Sequence, residues 1–126
     1  MENNNYDNEY LKKEYLKKVK EFLRRELSKD YQPEYKQDNT FEEEYKIQIE
    51  ERKYEGDITR SISYSDDYKK SHFFLGYLSY FSKRNKKYAI CSPDGKGLKF
   101  YNNKTKALET LISRVSKIIE KINLKN

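Results

Sequence analysis

A chain of 126 residues with 38% charged side chains and a net charge of +6 has the size of one domain, because two domains of half this length would each bury too little surface to be stable. A single cysteine, Cys91, excludes an internal disulfide, and with no apolar run of membrane-spanning length the expectation is a cytoplasmic protein without membrane contact. Cys91 and the lone histidine, His72, cannot supply the four ligands of a zinc site. Neither sits in a recognisable nucleophile and base arrangement and no glycine-rich phosphate loop occurs, so no enzyme activity, cofactor or metal is expected.

Residues 1–7 are polar and expected to fray. Over residues 8–28 apolar side chains recur every three or four positions, at Leu11, Tyr15, Val19, Phe22 and Leu23, with Leu16 and Leu27 widening the stripe. This spacing predicts an amphipathic helix, with Asp7 or Asn8 able to cap its first turn. Residues 30–40 contain Pro33 and read as a loop. The period then changes to two: Tyr45, Ile47 and Ile49 alternate with Lys46, Gln48 and Glu50. After a turn at Glu55, Gly56 and Asp57 the alternation resumes at Ile58, Ile62 and Tyr64, which predicts an antiparallel hairpin.

Residues 72–82 are apolar on both alternating sets and predict a central strand. Strict alternation puts Phe73, Leu75, Tyr77 and Phe81 on one face and Phe74, Leu78 and Tyr80 on the other. Residues 83–87 form a basic turn, residues 88–92 a further strand, and Ser92, Pro93, Asp94 and Gly95 a second turn. A short strand at residues 98–101 leads to a helix whose apolar face is Leu108, Leu111, Ile112, Val115, Ile118, Ile119 and Ile122, with Asn102 or Asn103 as its cap. The fold class is therefore α+β: a helix, an antiparallel meander of four or five strands, and a second helix, in one domain. Two helices suffice to cover one sheet face. If both lie there, the other face is left as a binding or homodimer surface; the alternative is one helix on each face or a sheet curled on itself.

The charge is uneven. Residues 30–57 hold ten acidic and four basic side chains, whereas residues 58–126 hold fifteen basic and five acidic ones. Between positions 83 and 106, Lys83, Arg84, Lys86, Lys87, Lys96, Lys99, Lys104 and Lys106 face Asp94 alone. Clustered cations gain affinity for polyanions by releasing counterions from phosphates, so these eight are the candidate nucleic-acid contacts. Lys104 and Lys106 also open a helix, where free backbone N–H groups favour anions. Aromatic rings interleave with the bases, and Tyr80, Tyr88 and Tyr101 are the candidate stacking groups, with Tyr77, Phe81 and Phe100 nearby. The order of helix, strands and a lysine-headed helix resembles double-stranded-RNA-binding modules in outline only. The small-residue pattern of their second helix is absent and the strand region here is much longer, so that family is not assigned.

The leading expectation is a small non-enzymatic protein that binds nucleic acid or a nucleoprotein. Its rival is a protein-interaction module, such as a phage or mobile-element inhibitor of the anti-defence type docking on a host complex, with Tyr and Arg as anchors. Whether the acidic segment 30–57 masks the basic half is left open by the sequence. An acid-x-Lys motif at Glu44 and Lys46, read as lying on the first strand, has the spacing of restriction-type nucleases, but no companion Asp is identifiable.

Overall fold

The computed structural model describes residues 3–30, 39–65, 73–81, 86–93 and 97–124. In chain order they form α1 (Asn3–Leu27), β1 (Asn39–Glu42), β2 (Ile47–Tyr54), β3 (Asp57–Tyr64), β4 (Phe73–Phe81), β5 (Lys87–Cys91), β6 (Lys99–Tyr101) and α2 (Lys104–Leu124). The strands make one sheet in the order β1-β2-β3-β4-β5-β6, and every neighbouring pair is antiparallel. The fold is the expected α+β meander between two helices, with six strands in place of four or five.

The additional strand is β1, whose Thr40 and Phe41 pair with Ile49 and Gln48. It falls at the end of a stretch whose proline and polar residues signal a loop, and four residues are too few to establish a period of two. Residues 43–46 form the β1–β2 turn. Tyr45 is therefore not a strand residue, but its ring still points inward, 6.1 Å from the Tyr15 ring and 5.7 Å from that of Phe22. The Tyr15 hydroxyl donates a hydrogen bond to the Tyr45 carbonyl at 3.1 Å, which ties α1 to this turn. Glu44 and Lys46 sit exposed in the same turn rather than on a strand. The pleat that would set acid and lysine side by side is missing there, which removes the geometric basis of the nuclease motif.

The β2–β3 hairpin closes with Tyr54 opposite Asp57, and both loop residues have positive φ, 50° at Glu55 and 90° at Gly56. Such two-residue turns twist in the sense that the flanking strands require. Glycine meets this condition without strain.

Both helices lie on one face of the sheet. A single core joins Val19, Phe22, Leu23 and Leu27 of α1 to Leu108, Leu111, Ile112, Val115, Ile118 and Ile119 of α2 and to Ile47, Ile49, Ile62, Leu75, Leu78 and Ile90 of the strands. α1 begins at Asn3, so Asp7 and Asn8 lie within it and do not cap it. At α2 the expected cap is present: the Lys106 N–H donates to Asn103 Oδ1 at 3.1 Å, and the Ala107 N–H to the Asn103 carbonyl.

The faces of β4 differ from strict alternation. Ile62 pairs with Gly76 but Ser63 pairs with Phe74, so Leu75 is the extra residue of a β-bulge. The bulge resets the pleat. Leu75, Leu78 and Tyr80 face the helices, while Phe74, Tyr77 and Phe81 share the opposite face; sequence alternation separates Leu75 from Leu78 and Tyr80, and Phe74 from Tyr77 and Phe81. Gly76 makes the bulge feasible. Its φ is +148°, and a Cβ there would stand 2.8 Å from the Cys91 carbonyl oxygen and 3.0 Å from Leu111 Cδ1. The missing side chain is what lets α2 approach β4.

A buried ion pair fixes the other helix. Arg60 on β3 and Glu51 on β2 are opposite each other in register, their side chains are 4% and 8% exposed, and Arg60 Nε donates to Glu51 Oε2 at 2.8 Å. The remaining guanidinium donors reach the end of α1: NH1 donates to the Leu27 and Lys29 carbonyls at 2.9 and 2.7 Å, and NH2 to the Asp30 carbonyl at 3.3 Å. These carbonyls belong to the helix terminus, which has no intrahelical donors left for them.

Gly76→Ala combines a strained backbone with a clash against main chain, so it should lower stability by at least about 2 kcal/mol in urea unfolding. Arg60→Met strands a buried carboxylate and should cost about 3–5 kcal/mol, whereas the double change Arg60→Met with Glu51→Met should recover part of that loss in the same measurement.

Candidate nucleic-acid interface

The meander decides which basic residues can act together. β5 runs from Lys87 to Cys91 and β6 returns beside it, with Tyr101 opposite Tyr88 and Lys99 opposite Ile90. The start of α2 therefore lies at the same end of the sheet as Lys86 and Lys87. β5 ends at Cys91, roughly 13 Å from Lys87 by strand rise. Lys83, Arg84 and Lys96 lie outside the described residues. Of the eight candidate cations, Lys86, Lys87, Lys99, Lys104 and Lys106 are described, and the topology gathers Lys86, Lys87, Lys104 and Lys106 at one end.

Their environments differ. Lys86 is exposed at the last position before β5, with φ of 50°. Lys87 pairs with Phe81, on the face away from the helices. Lys99 is exposed on β6, its ammonium 5.6 Å from the centre of the Tyr101 ring. Lys106 is exposed in the first turn of α2. Lys104 is committed to the fold: its Nζ donates to the Ser28 carbonyl at 2.7 Å and lies 3.9 Å from Asp30 Oδ1. Burial pulls its pKa below the ordinary lysine value, with Asp30 opposing the shift. Lys104 thus serves the end of α1, where a cation also offsets the negative pole of the helix.

The three candidate stacking tyrosines occupy one cross-strand row. Tyr80 pairs with Tyr88 and Tyr88 with Tyr101, and the Tyr80 and Tyr88 rings are 4.9 Å apart at 32°. The row lies on the helix side of the sheet, where Tyr88 and Tyr101 pack against the core. Burial raises the Tyr88 pKa, with Tyr80 and Asp30 adding to the effect. Rings held between helix ends and sheet are poorly placed to receive bases.

The opposite face carries different rings. Phe81 and Phe100 lie 6.1 Å apart, and Phe74 and Tyr77 6.3 Å apart. None of the four belongs to the core joined to the helices, and Phe74 and Phe100 are 40% and 52% exposed. Between the pairs runs the row Thr59, Ser79, Ala89 and Phe100, in which the Thr59 and Ser79 hydroxyls are hydrogen-bonded at 2.7 Å. Tyr77 stands opposite Cys91, and burial followed by the Cys91 thiol raises its pKa. Phe81 and Phe100 were legible as aromatics among bases; that both lie on the face away from the helices was not, because spacing does not say which face of the sheet the helices cover.

One candidate residue has no counterpart among the sequence expectations. Arg114 follows Lys106 and Thr110 at four-residue steps along α2, a single helical stripe. Its NH1 nitrogen is buried without a hydrogen-bond partner among the described residues. Hydrogen bonding to Thr110, then to Lys99, together with the charges of Lys99 and Arg114, holds the Tyr101 phenol below the ordinary tyrosine value against the effect of burial. The signal available in sequence was only the spacing of Lys106, Thr110 and Arg114, which any helical surface can show.

Among the described residues no group of three or more His, Cys, Asp or Glu side chains is placed to hold a metal ion, and no helix is long and apolar enough to cross a membrane. No protein-family model matches the chain, and no curated protein or solved structure matches it.

Lys104→Gln should lower stability by about 1 kcal/mol through the lost charged hydrogen bond to the α1 terminus, while Lys106→Gln should leave the thermal midpoint unchanged. Thermal unfolding of the two variants side by side checks the division between structural and surface lysines.

Proposed function

We propose that the protein is a non-enzymatic binding module that contacts nucleic acid, or a nucleoprotein, along the β6 edge of its sheet. The observation that supports this most is the alternation of β6 itself. Phe100 lies on the face away from the helices beside Phe81, while Lys99 and Tyr101 lie on the side of α2. A strand of nucleic acid following this edge would have aromatic rings on one side for its bases and cations on the other for its phosphates. Lys86 and Lys87 stand at the end of the same sheet half. The aromatic contacts in this proposal are Phe81 and Phe100 rather than Tyr80, Tyr88 and Tyr101, whose rings face the helices.

A protein partner is the second reading, and one observation favours it: Phe73, Phe74, Leu98 and Phe100 are large apolar side chains left exposed, and such surface often marks a contact with another protein. The two predict different salt responses. Nucleic-acid binding weakens steeply with salt as counterions are released, whereas docking on apolar rings does not.

Fluorescence polarisation with labelled DNA and RNA, single-stranded and duplex, tests the proposal. Binding is expected at low salt, with affinity falling as a power of salt concentration, and Phe81→Ala with Phe100→Ala should weaken single-strand binding by about tenfold or more. Failure of every form of DNA and RNA to bind at low salt would exclude the nucleic-acid proposal.

A further inference from the structure

Arginine N–H groups are costly to bury unpaired, since a charged donor loses its hydration without compensation. Arg114 NH1 is in that position. Its own helix offers no remedy: the neighbours at three and four residues are Leu111, Thr110, Lys117 and Ile118, and Glu109 is held by Arg24 through paired bonds of 2.8 and 2.9 Å. α2 packs against β6, which brings Lys99 and Tyr101 to the same seam, with the Lys99 ammonium over the Tyr101 ring. Lys99 on β6, the Tyr101 hydroxyl and the unsatisfied guanidinium donor of Arg114 on α2 come together there.

We propose that Arg114 anchors a phosphate-binding site in the seam between α2 and β6, completed by Lys99, the hydroxyl of Tyr101, and Lys106 at the helix start; Thr110 donates its own hydroxyl hydrogen to the Lys106 carbonyl at 2.7 Å and is not one of the donors. The guanidinium fork matches two oxygens of one phosphate, which gives Arg114 the orienting role, while Lys99 and Lys106 act as point charges that tolerate some displacement. Behind the hydrogen bond to Thr110, which does most to lower the Tyr101 pKa, the charges of Lys99 and Arg114 act on the phenol in the direction that favours an anion. The site deepens the function proposed above and rests on it for the source of the phosphate, a nucleic-acid backbone; free polyphosphate shares the chemistry and is distinguished by the test.

The test uses the whole chain and two probes: labelled single-stranded RNA followed by polarisation across a salt series, and inorganic tripolyphosphate followed by amide and arginine side-chain NMR signals. Arg114→Gln should weaken RNA binding roughly tenfold and reduce the slope of log affinity against log salt by about 0.7. Arg114→Lys should keep the slope but lose affinity several-fold, because charge is retained and the fork is not; if the glutamine variant fails to fold, this arm decides. Lys12→Gln on α1 should leave both affinity and slope at the wild-type value within error, allowing for one distant charge. RNA binding with Arg114 variants indistinguishable from the Lys12 control overturns the site and leaves the nucleic-acid function standing. Tripolyphosphate shifts at Arg114 and Tyr101 without binding of any nucleic acid support the site and remove that function. Absence of both responses overturns both.

Discussion

The position of α1 depends on one side chain. Arg60 leaves the middle of β3, meets Glu51 across the β2–β3 ladder, and spends its remaining donors on the carbonyls of Leu27, Lys29 and Asp30. A helix terminus, a buried acid and a strand are thereby satisfied by a single planar group. Lys104 completes the arrangement from α2 through the Ser28 carbonyl. With its last turn held from the sheet and from the other helix, α1 can only lie on the face that α2 already covers. The separation of the opposite face, with its phenylalanines, from both helices follows from that placement.

The same contacts answer what the uneven charge does. The acidic segment does fold partly against the basic half, but at particular residues: Glu51 meets Arg60 and Asp30 approaches Lys104, while Glu50 pairs with Arg52 inside its own segment. Arg60 and Lys104 are thus structural charges. Lys86, Lys99 and Lys106 remain on the surface, so the neutralisation is local and the basic end of the sheet persists beside it. Charge counts over long windows cannot separate these roles, because the deciding variable is which cation lies within reach of a helix terminus.

Periodicity made the regular parts of the fold legible. The stripe from Leu108 to Ile122 and the alternation through Ile47, Ile49, Ile58, Ile62 and Tyr64 both hold, because each repeats often enough to fix a face. Single-residue events were hidden. A β-bulge at Leu75 reverses the faces of a strand that is apolar on both, so no polar residue betrays the shift. β1 is too short to show a period, and Tyr45 fills the core from a turn. In the candidate interface the lysine cluster was visible as composition. The engagement of Lys104, the inward row of Tyr80, Tyr88 and Tyr101, and the buried nitrogen of Arg114 depend on contacts between distant parts of the chain, which spacing does not encode.

The meander has a consequence for the order of assembly. Each strand pairs with its sequence neighbour, so the sheet can grow hairpin by hairpin with short loop closures. α1 has no such local partner. Its bonds span about 30 residues to Tyr45 and Arg60, 76 to Lys104 and 85 to Glu109. During synthesis α1 leaves the ribosome ahead of its partners and must therefore carry an uncovered apolar stripe until β3 has emerged, and it gains its last fastenings only when α2 follows. The interval is a property of connectivity, and the exposed lysines along α1 are what keep that waiting helix in water.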